Sequence, residues 1–259
     1  MSKRLQTLQR GSESKGVLRC MNWGWGLGRC WSCGDPLVPN EVAGVCPPCR
    51  WEWPALDDAP SAQLLAAERT GSVAWGVGFR LRHGTGNNAY SQDGLDAMGP
   101  TRSGTHAVVH RMKYGGFPRV GRELGKWLAK RWRAPPDNAV LVPVPLHWRR
   151  RWRRGFNPPQ ALAEGLAKEW TRKVRPEAMV RTRHRVSLTH ASRTARLEAL
   201  EATYHMNAVV PFDEYDGQAK PPVVLVDDVL TTGATFRLCR KVLEEAGHEV
   251  LGGVWLALA

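Results

Sequence analysis

With 259 residues, 42% hydrophobic and 24% charged, the chain can bury a real core, and it suits one mid-sized globular domain with an appendage or two unequal domains. Its 37 Lys and Arg against 24 Asp and Glu leave a formal charge of +13, which attracts polyanions such as nucleic acid or phosphorylated metabolites without selecting among them. No run approaches the roughly 18 to 20 apolar residues of a membrane span, and the polar start MSKRLQTLQRGSESKG has no apolar stretch behind it, so a cytoplasmic protein is expected.

Residues 1–29 are basic, then Gly- and Trp-rich without periodicity, and read as a poorly ordered lead-in. Residues 30–53 form a cysteine module. CWSC supplies Cys30 and Cys33, and CPPC supplies Cys46 and Cys49, with 12 residues between the pairs. Four thiolates at this spacing can converge tetrahedrally on one Zn2+, a closed and therefore structural site. Two disulfides are the alternative, which belongs to an oxidising compartment. Cys20 and Cys239 fall outside the pattern and read as lone thiols.

Residues 54–70 read as a linker and short helix, and VAWGVGFRLRH (73–83) alternates like a strand. Residues 84–105 are rich in Gly, Asn and Ser and read as a loop or insertion. Next come a helix carrying Leu124, Trp127 and Leu128 on one face, the strand AVLVPV (139–144) and a helix around 159–171. A basic loop (181–196), the strand VVLVDD (223–228), a helix (233–246) and the strand VLGGVWLAL (250–258) complete the order. This alternation predicts an α/β domain over residues 71–259, a parallel sheet with helices on both faces.

The segment VVLVDDVLTTGATF (223–236) carries the most chemistry. An apolar strand ends in two acids, crosses a Thr/Gly loop and enters a helix. Helix starts offer unpaired N–H groups and the positive end of the dipole, so Thr231, Thr232, Gly233, Ala234 and Thr235 can wrap a phosphate. Asp227 and Asp228 stand at the carboxyl end of the strand, where open α/β sheets bind ligands, and are suited to accept hydrogen bonds from adjacent hydroxyls. A ribose 5-phosphate satisfies both halves.

Five arginines, Arg149, Arg150, Arg151, Arg153 and Arg154, crowd one segment and must meet either solvent or a polyanion. Trp148 and Trp152 lie among them, a mixture that can stack on exposed bases while neutralising phosphates. Core packing is the other use of a tryptophan.

The segment 223–236 closely resembles the signature loop that binds 5-phosphoribosyl 1-pyrophosphate (PRPP) in type I phosphoribosyltransferases. The paired Cys-x2-Cys, HRMKYGG (110–116), LVPVPLHWRRRWRRGFNP (141–158) and the closing LALA narrow the resemblance to the ComF family, over most of residues 30–259. The resemblance implies the phosphoribosyltransferase fold, carboxylates on the ribose hydroxyls, the loop on the 5-phosphate, and Mg2+ accompanying PRPP. It further implies a pyrophosphate loop at Pro143, Val144 and Pro145, with Lys113, Arg154 and Arg196 supplying positive charge. Residues 181–204 correspond to the family's flexible loop, with Tyr204 at its usual aromatic position. The family is associated with natural competence and single-stranded DNA uptake, which implies single-stranded DNA or a partner in the competence machinery. Phosphoribosyl transfer and DNA handling on the same fold are thus both open, as is a scaffold whose zinc module recruits a partner.

Departures from the pattern concern the acceptor. Thr231 stands where purine-salvage members carry an Asp, which argues against 6-oxopurine salvage. Leu188, Ala199 and Pro158 replace the family's Gln, Asn and Gln, and none of them can make the lost amide hydrogen bonds.

Overall fold

The computed structural model describes residue 30 and residues 59–81, 104–114, 118–182, 203–207 and 220–259. In chain order these form helix α1 (Ala59–Thr70), strand β1 (Val73–Arg80), helices α2 (Gly104–Tyr114) and α3 (Pro118–Ala129), and strand β2 (Val140–Pro143). Helices α4 (Trp148–Arg154) and α5 (Pro158–Trp170) follow, then strands β3 (Lys173–Val174), β4 (Met179–Arg181), β5 (Tyr204–Met206) and β6 (Val223–Leu230), helix α6 (Ala234–Glu245) and strand β7 (Val250–Leu258).

Five strands make one sheet in the order β1-β7-β6-β2-β3, every pair parallel. Strands β4 and β5 form a separate antiparallel pair. The predicted α/β architecture with a parallel sheet flanked by helices is therefore present. Because β6 is covered on both faces, Val223, Val224, Leu225 and Val226 are all buried, the unbroken apolar run of an interior parallel strand.

Period-two alternation divides these side chains between two cores. Val224 and Val226 join Val108, Met112, Leu124, Leu128, Leu162 and Leu166 from α2, α3 and α5. Val223 and Leu225 face Ala66 of α1, Phe236, Cys239 and Leu243 of α6, and Tyr204 of β5. Helices α3 and α5 approach closely because Gly121 meets Ala161 and Gly125 lies against the Leu162 carbonyl, leaving no space for larger side chains. The stretch read as linker and short helix thus includes α1, which supplies Ala66 to the second core.

Helices α2 and α4 are additions to the elements predicted from sequence. The first begins at the edge of the predicted loop, and the second is the arginine cluster itself, a helix with no buried residue. Cys30 is buried in the first core beside α2, and its carbonyl accepts a hydrogen bond from Arg111 Nη1 at 2.5 Å. Cys33, Cys46 and Cys49 lie outside the described residues, as does Arg196. Among the described residues no helix is long and apolar enough to cross a membrane.

Candidate functional site

Strand order locates the site before any side chain does. The chain passes from β2 outward to β3, but from β6 it moves to β7 on the other side, so the direction of winding reverses between β6 and β2. At such a point the crossover connections diverge and leave a crevice beyond the carboxyl ends of the strands.

Pairing between the two strands ends with Pro143 opposite Val226 and a final bond from the Val144 N–H to the Val226 carbonyl, 2.8 Å. Strand β6 continues through Asp227, Asp228, Val229 and Leu230 on β7 alone. Among the described residues no strand pairs with its other edge there, and the next N–H along that edge belongs to Asp228. It is satisfied locally, donating to Asp227 Oδ1 at 2.8 Å. Across the crevice Pro143, Val144 and Pro145 are buried as β2 exits, and Asn157 Nδ2 donates to the Val144 carbonyl at 3.1 Å, pinning this turn to the start of α5.

The two acids do not point the same way. Strand alternation sends Asp228 toward α2, where Lys113 Nζ lies 3.3 Å from its Oδ2. Asp227 turns to the α6 side, where burial above all, and then the neighbouring Asp228 charge, push its carboxyl up to about 8. Tyr204, Arg181 and Cys239 are its neighbours on that side. Burial raises the Tyr204 phenol to about 12, and its hydroxyl has a hydrogen-bonding interaction with Thr235. The Arg181 guanidinium lies 5.2 Å from the Tyr204 ring centroid. The adjacent acids expected from sequence therefore face opposite sides of the strand: Asp228 pairs with a lysine at the mouth, and Asp227 has its carboxyl raised by burial and by the Asp228 charge.

Thr231, Thr232 and Gly233 form the turn from β6 into α6, with Ala234 and Thr235 in the first helical turn. The first intrahelical bond runs from the Arg237 N–H to the Gly233 carbonyl at 3.0 Å, so the N–H groups of Gly233, Ala234 and Thr235 stand outside the helical ladder. Ala234 N–H makes only a long contact, 3.5 Å, with Thr232 Oγ1. Gly233 is left-handed (φ +75°), and a Cβ there would collide with the backbone carbonyl of Arg69. Glycine is needed here for its conformation and for packing against α1, a role beyond the phosphate approach that the sequence suggests.

Helix α4 begins at His147, whose Nδ1 accepts from the Arg149 N–H at 3.2 Å. At its far end the Arg154 guanidinium stands 4.7 Å from the ring centroid of Tyr114, the neighbour of Lys113. Lys113 of α2 thus meets Asp228 of β6, and the adjacent Tyr114 meets Arg154 of α4. On the outer side of α4, Trp148 and Trp152 are 61% and 84% exposed.

Two arginines that the motifs do not include also reach the loop. Arg69 Nη1 donates to the Thr231 carbonyl at 2.7 Å, and Arg237 Nη1 donates to the Thr232 carbonyl at 3.1 Å. Arg237 is visible in sequence one turn beyond the loop; Arg69, in another helix 162 residues from Thr231, has no local signal. Among the described residues no group of three or more His, Cys, Asp or Glu is placed to hold a metal.

The fold and crevice define an open parallel α/β protein with a loop-and-acid site at its switch point. No protein-family model matches the chain. It is similar to competence protein F of Haemophilus influenzae, 28% identical over 154 residues, which cover 57% of this chain and 65% of that protein. It is also similar to the DNA utilization protein YhgH of Escherichia coli, 29% identical over 146 residues, covering 54% of this chain and 61% of that one. The chain therefore matches a little under two thirds of the length of these relatives. Both similarities agree with the ComF resemblance carried by the sequence motifs.

Proposed function

We propose that the chain has the type I phosphoribosyltransferase fold and binds PRPP or a related ribose 5-phosphate at the crevice, where it transfers the phosphoribosyl group. In this reading the N–H groups and hydroxyls of Thr231, Thr232, Gly233, Ala234 and Thr235 take the 5-phosphate, and Asp228 and Asp227 hold the ribose. Pro143, Val144 and Pro145, with Lys113 and Arg154, receive the pyrophosphate; the family resemblance adds Arg196, which lies outside the described residues. The observation that carries the reading is that loop N–H groups outside the helical ladder and the Lys113–Asp228 pair lie at one switch point. Transfer would break the bond from ribose C1 to the pyrophosphate oxygen, which leaves with the electron pair, while an acceptor nucleophile forms the new bond at C1. Lys113 and Arg154 would neutralise the departing charge.

The residues present fit Mg2+ borne by the ligand: Asp228 at the mouth offers one hard carboxylate, too little for a dedicated cage but suited to an ion held mainly by phosphates. Bound there, Mg2+ supplies charge neutralisation on the diphosphate. The zinc module remains a proposal on Cys30, Cys33, Cys46 and Cys49. A role in competence or DNA use is carried over from the resemblance and from the relatives' names, and a cytoplasmic location from the sequence reading. Calorimetry with ribose 5-phosphate tests the site: Asp228→Asn should weaken binding of the sugar phosphate, and equal affinity in wild type and variant would remove the acid from the ribose site.

A second reading rests on α4. Two tryptophans at i and i+4, 61% and 84% exposed among arginines, form a surface suited to stack unpaired bases and neutralise their phosphates. In this reading the protein handles single-stranded DNA, with or without transfer chemistry. Arg150→Ala, Arg151→Ala and Arg153→Ala combined should lower affinity for an oligonucleotide and reduce the salt slope by about 0.7 for each phosphate that the helix no longer neutralises. Unchanged binding would leave α4 as solvated surface.

A further inference from the structure

We infer that Arg69 and Arg237 are positioning residues that aim the backbone of the phosphate loop, an inference that rests on the phosphate site proposed above. Arg69 Nη1, in the last turn of α1, donates to the carbonyls of Thr231 (2.7 Å) and Ala259 (2.5 Å). The carbonyl of Arg69 itself accepts from Arg237 Nη1, and that same nitrogen donates to the Thr232 carbonyl at 3.1 Å. Two consecutive loop carbonyls are thus each held by a guanidinium from the α1 side.

The peptide unit is planar and trans, so each carbonyl opposes the N–H of the following residue. Fixing the Thr231 and Thr232 carbonyls toward α1 directs the N–H groups of Thr232 and Gly233 the other way, to where an anion would sit. Gly233 closes the same contact, since the space beside its Cα is filled by the Arg69 carbonyl.

Charge argues in the same direction. Arg237 lies in the first turn of α6, which contains no acid, and a cation there opposes the helix dipole. Two guanidiniums behind a helix start form an arrangement that an anion in front of it offsets. Arg240 provides an internal control: it also joins α6 to α1, donating from Nη1 to the Gly71 carbonyl at 3.1 Å, and pairs with Glu244 at 2.6 Å, but neither of these bonds reaches a loop atom.

The experiment is calorimetry of the full chain with ribose 5-phosphate and, separately, with inorganic pyrophosphate, alongside melting temperatures. Arg69→Ala and Arg237→Ala are each expected to weaken ribose 5-phosphate roughly tenfold, the scale of a lost charge-assisted hydrogen bond, while pyrophosphate affinity stays within about twofold. Arg69→Lys should recover part of the loss, because an ammonium can still reach one carbonyl. Arg240→Ala should lower the melting temperature without changing ribose 5-phosphate affinity. If Arg69→Ala fails to fold, Arg69→Lys and Arg237→Ala carry the comparison. Wild-type affinity in both remaining variants, or losses for both ligands that track melting temperature in all three arginine positions, would overturn the inference. Absence of wild-type ribose 5-phosphate binding would instead overturn the site reading, and the positioning role with it.

Discussion

Lys113 Nζ lies 3.3 Å from Asp228 Oδ2, and this ion pair ties helix α2 to strand β6 at the mouth of the crevice. With side chains only 23% and 13% exposed, neither group is freely solvated, so removing one leaves the other poorly compensated. Lys113→Met should weaken PRPP about tenfold or more and ribose 5-phosphate less, because a lysine placed here also meets the pyrophosphate. Calorimetry with both ligands checks this; equal losses would confine Lys113 to the sugar.

Asp227 makes stability depend on pH in a defined direction. Its carboxyl is raised from 3.8 to about 8, so between those values the folded chain holds a proton that the unfolded chain has released. Stability contributed by this group is full below about pH 4 and is lost as pH rises to about 8. Asp227→Asn keeps an oxygen for the Asp228 N–H and should flatten this slope, so that the variant gains on wild type as pH rises toward 9. Denaturant unfolding at pH 5, 7 and 9 measures it, and parallel pH profiles would show that the carboxyl ionises freely.

Gly233→Ala tests the loop's packing. A left-handed alanine costs ~1 to 2 kcal/mol from its backbone alone, and its Cβ would displace the end of α1 at Arg69. The midpoint of denaturant unfolding should fall accordingly. Gly247→Ala is the comparison, because Gly247 is also left-handed but a Cβ there meets only the flexible end of Lys220. Equal losses at the two positions would mean that the contact with α1 adds nothing.

Zinc analysis addresses the cysteine module. One metal per chain is expected, lost when Cys33 and Cys46 are both replaced by Ser, because two thiolates cannot close a tetrahedral site. Chelation should destabilise the amino-terminal module and leave ribose 5-phosphate binding unchanged. Absence of stoichiometric zinc in protein purified under reducing conditions would remove the assignment.

Much of the central sheet is legible in the sequence because its interior strands are continuous apolar runs. VLGGVWLAL marks β7 with its observed bounds, and VVLVDD marks β6 up to its last two residues. Carrying that strand on through Val229 and Leu230 places Asp227 and Asp228 on alternate faces, since side chains in a strand alternate strictly. Helix α4 is hidden because its apolar positions are two tryptophans facing solvent, so no buried stripe marks it. Helix α2 carries a weak signal in Val108 and Met112, one turn apart, masked by the Gly- and Ser-rich run before it. Arg69 has no signature at all, because its role depends on α1 folding against a loop distant in sequence.

The most direct measurement is a crystal structure of the protein soaked with PRPP and Mg2+. The 5-phosphate is expected against the N–H groups of residues 231–235, the ribose hydroxyls at Asp228 and Asp227, and the pyrophosphate between residues 143–145 and Lys113. An empty crevice at millimolar ligand, or PRPP bound only along α4, would contradict this placement.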